Sequence, residues 1–262
     1  MSAAQVAFLG TSAALTSAAR DNTSLVFEAA GTALLADCGG GTLHRLQRLG
    51  VDPLGLTHVV VTHVHVDHAY GLPSLVRQLM LLGRRTPLAV VCRPEHVEPL
   101  RALLTTFRVW ERPDAFALQL VPIDLAVGAR AFTSGRLRVS TAPNDHGPMP
   151  NFAVRVEVEG GGAVVYSSDT QPSDNVVALS RGAGTLIHEA TFLERDRPPG
   201  HAAAHSSAAE AGQVATRAGV DRLILVHVGS AYHGDVEVLA AEARQHFAGE
   251  VRVAEELGFA YF

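Results

Sequence analysis

The sequence contains no lysine; all 21 of its basic residues are arginine. This absence excludes Schiff-base chemistry, a phosphate-loop lysine and a Ser-Lys dyad. Cysteine is almost as scarce, and Cys38 and Cys92 are too few for a disulfide framework. No apolar run approaches the ~18 residues that a membrane helix needs, so no membrane partner is expected. No basic residue precedes Arg20, so the Ala-rich start lacks the charged opening of a secretory signal. It reads as a first strand and loop of a cytoplasmic protein. A net charge of -5 also lacks the basic footprint of broad nucleic-acid binding. An anionic substrate stays open, because a metal cluster can outweigh the global charge locally. What the sequence does have is 262 residues that are 47% hydrophobic, ample for one large α/β domain. It also has 13 His against one Trp and four Tyr, which points to metal or acid–base chemistry.

No internal repeat, charge block or long linker divides the chain, so residues 1–262 are read as a single domain. Short apolar runs between turn signals predict strands at 6–9, 24–28, 33–36, 58–62, 88–91, 117–121, 137–141, 152–158, 163–167, 185–188 and 223–227. Helical periodicity predicts helices at 42–49, 72–82, 94–107, 207–218 and 235–247. The fourth opens with Ser207 three residues before Glu210, the spacing of a capping box. Gly160, Gly161 and Gly162 between two strand patterns read as a hairpin turn. Interspersed strands and helices with hairpins in both halves fit a mixed α/β sandwich better than pure βαβ winding.

The densest chemistry lies in residues 59–68. A buried strand pattern ends at Thr62, and His63, His65, Asp67 and His68 follow within six residues. His63 and His65, two apart in extended chain, project to one side and can reach one ion. Asp67 and His68 can swing to a second where the chain turns toward a helix at Gly71. Imidazole and carboxylate without thiolate suit Zn²⁺, with Mn²⁺ or Fe as substitutes. A solvated His-rich turn is the competing explanation. His146, Asp169 and His227 each stand where a strand pattern gives out, which is where open α/β sheets expose functional side chains. Singly, each is as readily a turn or capping residue.

These residues carry a resemblance. Phe8-Leu9-Gly10-Thr11, Asp37-Cys38-Gly39, Thr62-His63-Val64-His65-Val66-Asp67-His68, Ser168-Asp169-Thr170, His188-Glu189-Ala190-Thr191-Phe192, His205-Ser206 and Val226-His227 occur in the order found in metallo-β-lactamase-fold hydrolases. The His-Glu-Ala-Thr-Phe and His-Ser segments resemble the ribonuclease Z-like branch. The resemblance implies a four-layer αβ/βα sandwich with two mixed sheets flanked by helices. It also implies two Zn²⁺ per chain: His63, His65 and His146 on the first, Asp67, His68 and His227 on the second, and Asp169 bridging. Asp67 would also orient the attacking water, and His205 resembles the residue that assists the leaving group. Its competing explanation is a loop histidine ahead of the Ser207 cap, and His201, four residues earlier, reads as loop. Homodimers are common among such relatives.

Two departures bear on substrate. The tRNA-gripping arm of ribonuclease Z lies between the His of the third motif and the bridging Asp. Here residues 147–168 fill that interval and are consumed by two strands and a turn, so structured tRNA is not expected as a partner. Gly40 replaces an acidic residue, and the segment Asn144-Asp145-His146-Gly147-Pro148 differs from the usual pattern. The expectation is a dinuclear zinc phosphodiesterase acting on a small anionic phosphodiester. The alternatives are hydrolysis of carboxylic, lactone, sulfate or thioester bonds on the same centre, or a non-catalytic metal-binding accessory protein. Asp37 is expected either to hydrogen-bond a ligating imidazole or to cap a turn, and His188 and Glu189 either to line the site or to end a strand. His44, His58, His96, His233 and His246 are taken as structural, and the pairs Arg84/Arg85, Arg136/Arg138 and Arg195/Arg197 as solvated faces.

Overall fold

The computed structural model describes residues 4–110, 112, 115–199 and 204–262. The first half holds β1 (Gln5–Gly10), β2 (Ser24–Ala29), β3 (Thr32–Ala36), α1 (Thr42–Arg48), β4 (Leu56–Val60), α2 (Val66–Ala69), α3 (Leu72–Leu81), β5 (Leu88–Cys92), α4 (Val97–Thr106) and β6 (Leu118–Pro122). The second holds β7 (Ala129–Ser134), β8 (Leu137–Pro143), β9 (Phe152–Val158), β10 (Ala163–Tyr166), α5 (Asp174–Ser180), β11 (Thr185–Glu189), α6 (Ala208–Ala218), β12 (Arg222–Val226), α7 (Glu237–Ala243), β13 (Glu250–Val253) and β14 (Phe259–Tyr261).

The strands form two seven-stranded sheets, ordered β14-β1-β2-β3-β4-β5-β6 and β13-β12-β11-β10-β9-β8-β7. Each is mixed in the same way. In the first, β14, β1, β2 and β3 pair antiparallel and β3 through β6 parallel. In the second, β7 through β10 pair antiparallel and β10 through β13 parallel.

Strand periodicity explains the layering. Val6, Phe8, Leu25 and Phe27 point inward and join Phe152, Val154, Val164 and Tyr166 of the facing sheet in one core. Their neighbours Ala7, Leu9 and Val26 point outward and pack with Leu46 of α1, Leu75 of α3 and Leu100 of α4. On the other flank, Val165 and Leu186 pack with Val176 of α5, Val214 of α6 and Leu239 of α7. With both faces covered, the strands read as unbroken apolar runs rather than alternating ones. The result is a four-layer αβ/βα sandwich. No helix among the described residues is long and apolar enough to cross a membrane.

The capping box forms as the spacing predicts: Ser207 accepts from the Glu210 amide, and the Glu210 carboxylate accepts from the Ser207 amide. Residues 159–162 make the β9–β10 turn. Strands β7, β13 and β14 and helices α2 and α5 lie outside the predicted elements. Strands β13 and β14 are short, with four and three residues, and β7 is half-exposed, so its apolar signal is diluted. Arg84 departs from the solvated-face reading; it is 3% exposed and donates to the carbonyls of Thr86 and Pro87.

Candidate metal centre

The carboxyl ends of the parallel strands of both sheets meet at one place. Past β3 stands Asp37, past β4 His63, past β10 Ser168 and Asp169, and past β12 His227. Three of these non-glycine residues have left-handed backbones: Asp37 at φ 61°, Ser168 at 53° and His227 at 55°. Each such conformation costs roughly 1–3 kcal/mol and persists only where surrounding structure imposes it. The motif loop is pinned to the strand next door. Cys38 N–H donates to His68 O at 2.8 Å and Gly71 N–H to Cys38 O at 2.9 Å. A Cβ at Gly71 would lie 1.9 Å from Gly39 O, so only glycine allows this approach.

All seven candidate ligands converge, in two sets. His63, His65 and His146 form one; Asp67, His68, Asp169 and His227 form the other. In the first, His63 Nε2 and His146 Nε2 each lie 3.1 Å from His65 Nδ1. In the second, Asp169 Oδ2 lies 3.2 Å from His68 Nε2 and 3.1 Å from His227 Nε2, and Asp67 Oδ2 lies 3.4 and 3.6 Å from the same nitrogens. Asp169 Oδ2 also lies 3.8 Å from His63 Nε2 and 4.0 Å from His146 Nε2, so one oxygen stands between the sets. The sequence motif supplies two of three residues in the first set and two of four in the second, and strand ends of the second sheet supply the rest.

These residues fit a divalent ion. His63 Nδ1 donates to Thr62 Oγ1 at 3.1 Å, since that hydroxyl gives its own proton to Asp37. His146 Nδ1 donates to Ala204 O at 2.9 Å, and His68 Nδ1 to Asp37 Oδ2 at 2.9 Å. Each ring is thereby turned so that its Nε2 faces inward, the arrangement that outer partners impose on metal-bound histidine. Nitrogens on a tetrahedral zinc with bonds of 2.0–2.1 Å stand about 3.3 Å apart, close to the spacing of the first set. His68 Nε2, His227 Nε2 and Asp169 Oδ1 are buried without any hydrogen-bond partner.

The electrostatics ask for positive charge. Burial would raise the Asp169 and Asp67 carboxyls, yet His227 and His68 hold both well below the usual carboxylate range. In return, against the pull of burial, Asp169 pushes His227 up to about 10 and, with Asp37, holds His68 well above its ordinary value. Burial and the neighbouring His68 keep His63 low.

Around this cluster stand groups that sequence reading left open or missed. Asp37 Oδ1 accepts from the amide and hydroxyl of Thr62, both at 2.9 Å, so it orients the loop as well as His68. Glu189, fully buried, accepts from His205 Nδ1 at 2.9 Å and from Thr170 N–H at 2.7 Å. His205 stacks on His227 with centroids 5.1 Å apart. His188, on the opposite face of β11, joins neither set; its Nδ1 donates to Glu189 O. Thr62, Asn151, Ser168 and Tyr166 complete the network: Ser168 Oγ donates to Thr62 Oγ1, and Asn151 Nδ2 donates to Asp169 O. No local signal marks these four, because their partners are distant in sequence. His201 lies outside the described residues. A cleft of about 440 Å³ opens between Tyr70, Arg77, Phe107 and Arg112.

The comparisons with known proteins agree with this architecture. The Beta-lactamase superfamily domain matches residues 32–228. The protein named Ribonuclease Z of Halorubrum lacusprofundi is 32% identical over 298 aligned positions, which cover 96% of this chain and 95% of that one. The Ribonuclease Z of Methanothermobacter thermautotrophicus is 31% identical, covering 93% and 92%. Among solved structures, the metallo-β-lactamase fold protein YhfI from Bacillus subtilis superposes with a TM-score of 0.83 at 24% identity, over 100% of both chains. The short form of human tRNase Z gives 0.80 at 24% identity, over 98% of both. These two structures speak to the fold alone. On the family match and the end-to-end identity with named relatives, the chain belongs to the β-lactamase superfamily, in its ribonuclease Z-like branch.

Proposed function

We propose that the chain is a dinuclear zinc phosphodiesterase that hydrolyses a small anionic phosphodiester. At the coarser level it is a metal-dependent hydrolase of ester bonds, as its ribonuclease Z relatives imply. The observation that carries the finer reading is the position of Asp169 Oδ2 within 4.0 Å of nitrogens from both ligand sets. His63, His65 and His146 would hold one ion, Asp67, His68 and His227 the other, and Asp169 both. When bound, zinc ions would supply Lewis acidity to the phosphate oxygens and lower the pKa of water toward neutrality.

The remaining work falls to side chains. Asp67 stays ionised and accepts a hydrogen bond from the attacking water, aligning it in line with the scissile bond. His205 holds its Nδ1 proton on Glu189, which leaves Nε2 to carry a proton to the leaving oxygen. Burial opposes protonation of His205 and the Glu189 charge raises its pKa, as a general acid needs. Two carboxylates against two divalent ions leave net positive charge, which favours an anionic substrate and the charge that accumulates on it.

What the chain lacks supports the small-substrate reading. Residues 147–168 are spent on a loop, β9, a turn and β10, with no length for an arm. The Halorubrum alignment runs to 298 positions against 262 residues here, so at least 36 of its positions have no counterpart in this chain. Structured tRNA is therefore not the proposed substrate. A cytoplasmic homodimer belongs to the same proposal; Cys38 and Cys92 are free thiols, as a reducing compartment allows.

The test is steady-state hydrolysis of bis(p-nitrophenyl) phosphate by zinc-loaded protein, with His63→Ala as the blank. Zinc-dependent turnover is expected. No turnover with zinc bound would overturn the phosphodiesterase reading in favour of carboxylic, lactone, sulfate or thioester substrates, or of an accessory role. The relatives' name favours a ribonuclease, so a precursor tRNA with a 3′ extension is assayed alongside. Efficient cleavage of that RNA would overturn the small-substrate reading.

A further inference from the structure

Glu189 has a second oxygen, and its partner leads back to the metal centre. Thr191 Oγ1 donates to Glu189 Oε2 at 2.8 Å and lies 2.9 Å from His227 Nδ1. A hydroxyl has one proton. A charge-assisted bond to a carboxylate takes it ahead of the 3.2 Å alternative, a bond to His227 O. Thr191 Oγ1 can then only accept from His227, which fixes a proton on Nδ1 and turns Nε2 inward as the atom able to ligate. That Nε2 is the atom 3.1 Å from Asp169 Oδ2, buried and otherwise without a partner.

The backbone of Thr191 is held so that this bridge is rigid. Its amide donates to Ser206 O at 3.1 Å, and its carbonyl accepts from Gly229 N–H at 3.2 Å. A Cβ at Gly229 would fall 2.3 Å from that carbonyl, so the contact exists only because glycine stands there. The other end of the Glu189 carboxylate meanwhile carries His205 Nδ1.

We propose that Thr191 is a positioning residue whose hydroxyl ties His227 to Glu189, so that one buried carboxylate orients both His227 and His205. The inference rests on the metal-centre reading above and adds to it a residue that touches neither substrate nor ion. The two rings stack at 14° and are anchored through the same acid, so His205 is set in register with the ligand beside it.

The test compares Thr191→Val, which keeps the shape and removes the hydroxyl, with Thr191→Ser, which keeps the hydroxyl and removes the methyl. Zinc affinity is measured by chelator competition, and melting of each metal-free variant confirms that it folds. T191V is expected to bind zinc in the set that contains His227 about 10- to 100-fold less tightly, the usual effect of removing an outer partner, and T191S to stay within about threefold of wild type. Equal affinity in T191V and wild type would overturn the proposal, as would a T191S loss as large as that of T191V. A second readout needs no metal: nitrogen-labelled histidine spectra are expected to show a protected Nδ1 proton on His227 in wild type and T191S but not in T191V. If wild type itself takes up no zinc, the metal-centre reading falls, and this proton alone decides whether the Thr191 bridge exists.

Discussion

Tyr166 donates its hydroxyl to Asp37 Oδ2 at 3.1 Å across 129 residues of sequence, joining the end of β10 in one sheet to the end of β3 in the other. The tyrosine is fully buried, and the same oxygen takes the Nδ1 proton of His68. The bond therefore sits beneath the candidate centre and between the sheets at once.

Replacing Tyr166 by Phe removes one donor from a buried carboxylate and leaves the ring packing intact. The expected cost is ~1–3 kcal/mol of stability, read from urea midpoints. An unchanged midpoint would show that Asp37 draws enough from Thr62 and His68 alone.

Substitutions His63→Ala and Asp169→Ala are each expected to lose metal and activity together. The drop should be at least about 100-fold, more than removing an outer partner costs. Metal content of purified protein and turnover of a phosphodiester check this in parallel. Full activity in either variant would remove that residue from the centre.

His205→Ala is expected to behave differently: metal content stays at the wild-type level while turnover falls by ~10²–10⁴, the range of a lost general acid. Loss of zinc in this variant would make His205 a ligand rather than a proton donor.

The cysteines give a pH prediction. Burial pushes the Cys38 thiol from an ordinary 9.0 up to about 12, and Cys92 up to about 11. A raised thiol pKa means that the fold favours the protonated form. The contribution is full below pH 9.0 and is lost as pH rises toward 12. Stability measured against denaturant should fall as pH rises from 9.0 toward about 12, and less steeply in Cys38→Ala. Neither thiol should alkylate in the native protein near pH 8, and both should once it unfolds. Rapid native labelling would contradict their burial.

How much of this could be read beforehand depends on range. His63, His65, Asp67 and His68 are legible because they crowd one strand end, and the helix cap at Ser207 because its partner is three residues away. The family resemblance extends this to His146, Asp169 and His227. The supporting network is a different matter. Thr62 finds Asp37 over 25 residues, Ser168 finds Thr62 over 106, and Tyr166 finds Asp37 over 129. No periodicity encodes such pairs; they appear only when two sheets dock. Asp37 and Glu189, open between structural and site roles in the sequence, are settled as hydrogen-bond partners of His68 and His205 by geometry alone. Strands β13 and β14 escaped because four and three residues carry too little pattern, and β7 because its half-exposed run is not continuously apolar; edge position does not decide, since β6 is an edge strand and is legible.

The doubled sheet pattern has a consequence for assembly. His63, His65, Asp67 and His68 come from the half that builds one sheet, and His146, Asp169 and His227 from strand ends of the other. Neither half holds a complete ligand set by itself. An ion bound here would act as a clasp between them, and its binding free energy would add to the cohesion of the sandwich in proportion to the logarithm of its concentration. Chelation would then loosen the seam between the sheets before it touched either outer layer of helices.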